Sequence, residues 1–475
     1  MKLLAMLTAI AALAAATASA QDTRPIAFTN ARLLPISGAP VERGTLVVRD
    51  GKIDAIGPEV QPPAGARIVD ATGMTILPGL VSAVSRAGIV DRTTPPSGPM
   101  PGGRRGRGEP MPGPTGGNAV NQVATKVVQS LQPKQPVFGD LLRAGVTSLA
   151  LSPTGSGFPG LGALLRPDGK TLEQLTADDD AFVQIVMARD AATKKLLKEQ
   201  FEKAKKVVEE RKKPPEKPAP AEAKPAEARP PEKAEPPKGD QPPKPEPKPE
   251  PKPEPKPEPK PEPRPEPKPD GQQPAPPTAA PAKPEAPKDP NVELLADLLE
   301  GKQRAIVQID SAADLLHWQQ AVPDDVKFPR TIAVTRHDTY AGTVDNVLDQ
   351  AKAMQCAVLV PPDLTTLPRS RHLIHPARRL HDAGVEVGFV LGDNPAAVRM
   401  LFFRLMELVR TGLPADVALR GVTLVPAKAL GIDKTCGSLE AGKDANLLVF
   451  RGDPLSPTGE LAQVWLSGRE VPREP

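Results

Sequence analysis

The sequence predicts an α/β protein. Its body is built of parallel strands with crossover helices, bracketed at both chain ends by short β runs and interrupted by a proline-rich insert. Three observations predict this. Short β-type runs separated by turn dipeptides fill residues 26–76 and return after Ala445. Between Asn291 and Leu391, apolar strand patterns alternate with helical ones, as parallel strands joined by helices require. Between Pro214 and Pro290 stand 31 of the chain's 63 prolines, a density that helices and sheets exclude because proline lacks the N–H they need.

Taken in order, Met1-Lys2 followed by the apolar run Leu3–Ala16 and the small residues Ala18-Ser19-Ala20 reads as an export signal over 1–20. This predicts a periplasmic or extracellular protein. The run is too short to span a bilayer, and no other segment reaches 18 uninterrupted apolar residues, so no transmembrane segment is expected. Residues 21–77 follow as the N-terminal β part, punctuated by Asp50-Gly51, Gly57-Pro58 and Thr72-Gly73. Residues 78–212 form the first part of the body, with a disordered Gly/Pro/Arg loop at 91–118 and a helical pattern from Asp178 to Arg211. A disordered Pro/Lys/Glu-rich insert covers 213–292, and from Lys244 to Pro269 every second residue is proline. It reads as a solvated spacer or a cell-wall or surface contact. The body resumes over 293–434, and 435–475 supply the C-terminal β part.

Charge and cysteine usage narrow the function classes. With 61 Lys+Arg against 57 Asp+Glu, the net charge of +4 excludes a nucleic-acid-tracking surface. Cys356 and Cys436 allow one optional bridge but no disulfide framework, and there is no Cys-x-x-Cys metal knuckle. Only 5 histidines occur, so each bears on the chemistry. His372, His375 and His381 fall in a helical pattern rich in arginine and read as a solvated face, and His317 reads as helix packing.

Phrases at both chain ends carry a resemblance. Thr45–Gly57 and Asp70–Leu80, ending Leu77-Pro78-Gly79-Leu80, together with Gly437-Ser438-Leu439-Glu440-Ala441-Gly442-Lys443-Asp444-Ala445-Asn446-Leu447 near the other end, resemble the amidohydrolase superfamily, in its imidazolonepropionase-like and dihydroorotase-like branch. The resemblance implies a (β/α)₈ TIM-like barrel with a small composite β-sandwich built from both chain ends. It implies a hydrolase of non-peptide carbon–nitrogen bonds, using zinc or another divalent metal that lowers the pKa of a bound water. The family's strand after Pro-Gly-Leu carries His-x-His. Here those positions hold Val84 and Arg86, and neither a hydrocarbon nor a permanent cation can ligate the ion. Gln308 or Asp310 stands where strand five would supply histidine, and His337 lies after strand six. Asp393 fits the strand-eight aspartate, with helix capping as its alternative role.

No metal cofactor is therefore expected. Asp393 and His337 are the catalytic candidates, and Arg86 and Asp310 the substrate-binding ones. Arg86 is expected to pair with Asp393. Three readings stay open: a degenerate barrel that binds a small molecule, an active hydrolase rebuilt on Asp393, His337 and Asp310, and an exported scaffold whose insert is the functional part.

Overall fold

The structure, a computed structural model, describes residues 24–89, 119–212, 288–312, 314–323, 325–335, 344–367 and 370–472. The export signal, the 91–118 loop, the insert up to residue 287 and His337 lie outside the described residues. The N-terminal β runs become β1 (Ile26–Leu33), β2 (Val41–Arg49), β3 (Lys52–Gly57), β4 (Arg67–Asp70) and β5 (Met74–Pro78). Asp50, at φ 50°, and Gly51, at φ 79°, take the left-handed turn that folds β2 back on β3.

The body contributes β6 (Leu80–Ser85), β7 (Ala119–Asn121), β8 (Val146–Leu151), β9 (Ser156–Leu165), β10 (Thr176–Val186), β11 (Ala305–Ile309), β12 (Arg330–Val334), β13 (Val358–Val360) and β16 (Val387–Phe389), with the small hairpin β14 (Thr365–Thr366) and β15 (Leu373–Ile374) between the last two. Eight strands line up in the order β16-β13-β12-β11-β10-β9-β8-β6, with β7 beside β9. The sheet curls, and alternation sorts its two faces. Val183, Ile185, Val307, Ile309, Ile332, Val334, Val358 and Val360 join the large cluster beneath the helices. Phe182, Ile306, Ala333 and Leu359 join Val81 and Ala150 in a separate inner cluster. Burial on both faces explains why β11 is apolar almost throughout.

The α/β alternation holds after Asn291, but the first half departs from a regular (β/α)₈ repeat. Only residues 152–155 separate β8 from β9, too few for a crossover helix, so β9 runs antiparallel to β8 and to β10. Gly162 in β9 leaves room for an inward aromatic, because a Cβ there would lie 2.1 Å from the Phe182 ring. The helical pattern expected from Asp178 is corrected too. Phe182-Val183-Gln184-Ile185-Val186 is rich in β-branched and aromatic residues and pairs on both sides, so residues 176–186 are strand and the helix is Ala191–Lys212. The helix after the insert starts at Pro290, within the span assigned to the insert, because Asp289 caps it by accepting from the Asn291 amide. Arg211, near the end of the one helix, bonds Asp297 at 2.8 Å and Glu300 at 2.9 Å on the other and also pairs with Glu293.

The C-terminal runs are β17 (Leu447–Arg451), β18 (Glu460–Leu466) and β19 (Arg469–Glu470). They enter the same sheet as β1–β5, because β17 lies antiparallel to β5 from Leu447 opposite Pro78 to Arg451 opposite Met74. Both ends supply its core: Phe28 and Trp465 meet edge to face, ring centroids 5.1 Å apart, among Leu46, Ile76, Leu447 and Val449. Gly79 alone separates β5 from β6. Its N–H bonds the Asn446 carbonyl at 2.9 Å, and a Cβ there would fall 2.1 Å from Thr147 Oγ1.

The segment 437–446 clasps this joint. Lys443 is 8% exposed and bonds Ser438 Oγ at 2.5 Å and Glu440 Oε1 at 3.0 Å, while the Ser438 hydroxyl donates to Glu440 at 2.6 Å. The main chain of the clasp bonds Ile53 in both directions and Gly51 besides. The Ser438 hydroxyl first, and then Lys443, hold the Glu440 carboxyl down at about 2.

Gly79→Ala is expected to destabilise the protein by about 1–3 kcal/mol in urea unfolding, since the clash is with the packed Thr147 side chain down to its Cβ. Adding Thr147→Gly should recover part of that loss, and full stability of the single variant contradicts the close approach. Glu440 is charged more readily folded than unfolded. Its contribution is thus present above its ordinary value near 4.3 and fades as pH falls toward about 2. The melting-temperature gap between the native chain and Glu440→Gln should therefore narrow between pH 6 and pH 2, and a constant gap contradicts it.

Candidate functional site

Chemistry on a barrel of this kind sits where the strands end. All six residues of β6 are buried, and Val84 is 8% exposed within the inner apolar cluster. Just beyond, the Arg86 main-chain N–H donates to Asp393 Oδ1 at 2.9 Å. Asp393 stands four residues past the end of β16, at the opposite edge of the curled sheet. Arg86 and Asp393 thus meet as expected from their positions, but the donor identified is the backbone amide. The same seam is closed lower down by the Val81 N–H on the Val422 carbonyl at 3.0 Å. Asp393 is not the helix cap: Asn394 takes that role for Pro395–Arg399, accepting from the Ala396 amide at 2.9 Å.

The neighbouring strands bring buried amides to the interior. In register, Gln184 lies beside Ile306 and Gln308 beside Ala333, which places both glutamines on the inner face. They are 0% and 4% exposed, and neither Oε1 has a hydrogen-bond partner among the described residues. Asp310 follows the end of β11, half-buried. The deeply buried carboxylate of this rim is Asp314, 1% exposed, which sequence reasoning missed. Arg189 donates to it at 2.6 Å, and the Ser311 N–H at 2.9 Å. Ser311-x-x-Asp314 is a capping-box spacing, the signal that could have found it.

The histidines are placed elsewhere or not described. His317 Nδ1 lies 2.8 Å from Lys194 Nζ. His372 and His375 do not share a helix face, because the helix is Pro376–Asp382 and His375 caps it, accepting from the Arg378 amide. The reason is Pro376, which is favoured at a first helical position and ends the pattern upstream. His375 Nε2 contacts the Leu408 carbonyl at 3.0 Å, and burial pushes its pKa down. His381 lies on the same short helix. Cys356 and Cys436 are unbridged thiols.

The donor set that the described residues bring to this mouth does not fit a zinc ion. A tight site needs three or four imidazole, thiolate or carboxylate donors converging within about 2.0–2.3 Å of the metal. At the family positions stand a buried hydrocarbon, a residue whose amide already occupies an Asp393 oxygen, and a neutral amide in Gln308. Among the described residues, three such donors converge only at Asp178, Asp179 and Asp180 on the edge of β10, where Lys126 bonds Asp179 at 2.7 Å.

The structure of an amidohydrolase from Thermotoga maritima superposes with a TM-score of 0.62 at 20% identity, covering 94% of this chain and 100% of that one, which shows the fold. Residues 304–471 match the model of the amidohydrolase family. The chain is 36% identical over 120 residues to an imidazolonepropionase of a Polaromonas species, covering 25% of this chain and 27% of that protein. It is 36% identical over 104 residues to the N-substituted formamide deformylase of Arthrobacter pascens, 19% of each. The matched stretches thus span under a third of these relatives. The resemblance to the amidohydrolase superfamily, read from the two terminal phrases, holds.

Proposed function

We propose that this chain is an exported protein of the amidohydrolase lineage in which metal-dependent cleavage of carbon–nitrogen bonds has given way to binding of a small molecule at the barrel mouth. The observation that carries this reading is the seam between the first and last strands. There Val84 fills apolar space and the Arg86 amide engages the Asp393 carboxylate, at the positions where the family would hold its ion. Without a Lewis acid, attack on an unactivated amide loses its main electrophilic assistance. The inner glutamine oxygens support binding, because a buried acceptor without a partner costs about 1–3 kcal/mol until a donor reaches it. A ligand bearing N–H groups meets that need. Export rests on the residues of 1–20 alone.

A second reading, an active hydrolase rebuilt on Asp393, Asp310 and His337, is favoured by one observation. Asp393 and Asp310 both follow strand C-termini of the same sheet. Metal content separates the two. Protein purified without added metal is expected to hold well under one zinc per chain by elemental analysis, and added zinc should raise no amidase activity. One or more tightly held transition-metal ions per chain, lost in Asp393→Ala, would overturn the binding reading in favour of the rebuilt hydrolase.

A further inference from the structure

A second concavity opens at the other end of the same strands. It lies at the starts of β11 and β12 and just before β13, lined by Arg304, Lys327, Arg330 and Lys428 around Phe328 and Cys356, with a volume of about 650 Å³. Asp310 stands five residues beyond Ala305, roughly 16 Å away along β11 at about 3.3 Å per residue, so this cleft is separate from the mouth.

Four cations line it, and among the described residues no carboxylate does. Of the four, Lys428 meets Glu386 at 2.9 Å, a carboxylate it shares with Arg420 at 3.8 Å. The two guanidiniums are held by the protein but not used up. Arg304 gives one Nη1 hydrogen bond to the Lys428 carbonyl at 3.1 Å, and Arg330 gives one to the Val326 carbonyl at 3.2 Å while lying 5.3 Å from the Phe328 ring. A guanidinium has five N–H donors in a fixed fork, so each keeps donors suited to a bidentate oxyanion. Like charges gathered in a concave, partly apolar wall repel one another, and the wall focuses their field on whatever enters.

We propose that this cleft binds a small polyanion carrying at least two phosphoryl or carboxylate groups. The arginines grip one group in bidentate fashion, Lys327 and Lys428 meet the other, and the apolar wall accepts the segment between them. Cys356 lines the cleft and reports on its occupancy. Burial pushes its thiol up, with Arg330 beside it pulling the other way, whereas Cys436 is 6% exposed in the inner cluster and serves as the reference thiol.

The test is calorimetric titration of the full chain at low salt with pyrophosphate and with citrate. It is paired with the rate of Cys356 alkylation, read by peptide mass spectrometry with Cys436 as reference. Saturable binding of at least one probe is expected, weakened at least tenfold by Lys327→Glu, and slowing Cys356 alkylation several-fold at saturation. Tighter binding of pyrophosphate assigns a phosphoryl ligand, and tighter binding of citrate a polycarboxylate. Lys327 is exposed, so its variant should melt as the native chain does, and Arg304→Gln gives a second reading of the same cleft. Absence of saturable binding of both probes overturns the proposal. So does equal weakening by Lys195→Glu, on the exposed face of the helix Ala191–Lys212, because binding would then follow net charge rather than the cleft.

Discussion

The antiparallel ladder between β5 and β17 is the interaction on which the rest of the structure depends. It joins residues roughly 370 positions apart, and one residue after β5 ends, the barrel begins. Gly79 transmits the geometry of the terminal sheet directly into β6, and the Asn446 carbonyl on the Gly79 amide fixes that step from the other chain end. The seam formed by Arg86 and Asp393 inherits its position from this joint, since β6 has no freedom of its own to shift. The two ends share one apolar core, and without the C-terminal strands Phe28 would lack the Trp465 edge it packs against.

How far the sequence revealed this depended on the kind of signal involved. The terminal strands were legible because turn residues such as Asp50-Gly51 mark where they end, and β11, β12 and the helices between them followed from an undisturbed apolar rhythm. β10 was hidden by its own polar start: Asp178-Asp179-Asp180 and the lysines of the following helix blended into one charged helical pattern, although Phe182–Val186 is plain strand. The reversal of β9 left no periodic trace, since direction is set by the shortness of residues 152–155. At the mouth, the family resemblance pointed to Asp393 and Arg86, and a hydrogen bond joins the two. The amide that joins them was not legible, because main-chain donors belong to every residue and identity does not announce them. Asp314 had a local signature, and attention to histidine positions passed over it.

The phrases that carry the superfamily resemblance are mostly the joint itself. Ser438, Glu440 and Lys443 hold one another in place, and the turns around them bond Gly51 and Ile53 across the gap between chain ends. These contacts demand small residues, a buried ammonium and a carboxylate at fixed offsets whatever happens at the barrel mouth. Kinship in architecture is thus recorded by residues of the joint, which stand apart from Val84 and Arg86, the positions where the resemblance expects histidine.

The contacts of Arg211 with Glu293, Asp297 and Glu300 have a consequence for how such a chain can vary. They hold the exit and re-entry points of residues 213–289 side by side on two packed helices, so the ring is closed by the body of the protein rather than by what lies between. Once a ring is closed, each doubling of its length costs only about 0.6 kcal/mol. The neck formed by these helices is therefore a port whose closure rests on Arg211 and its three carboxylates, and that closure does not depend on the length of the chain between them.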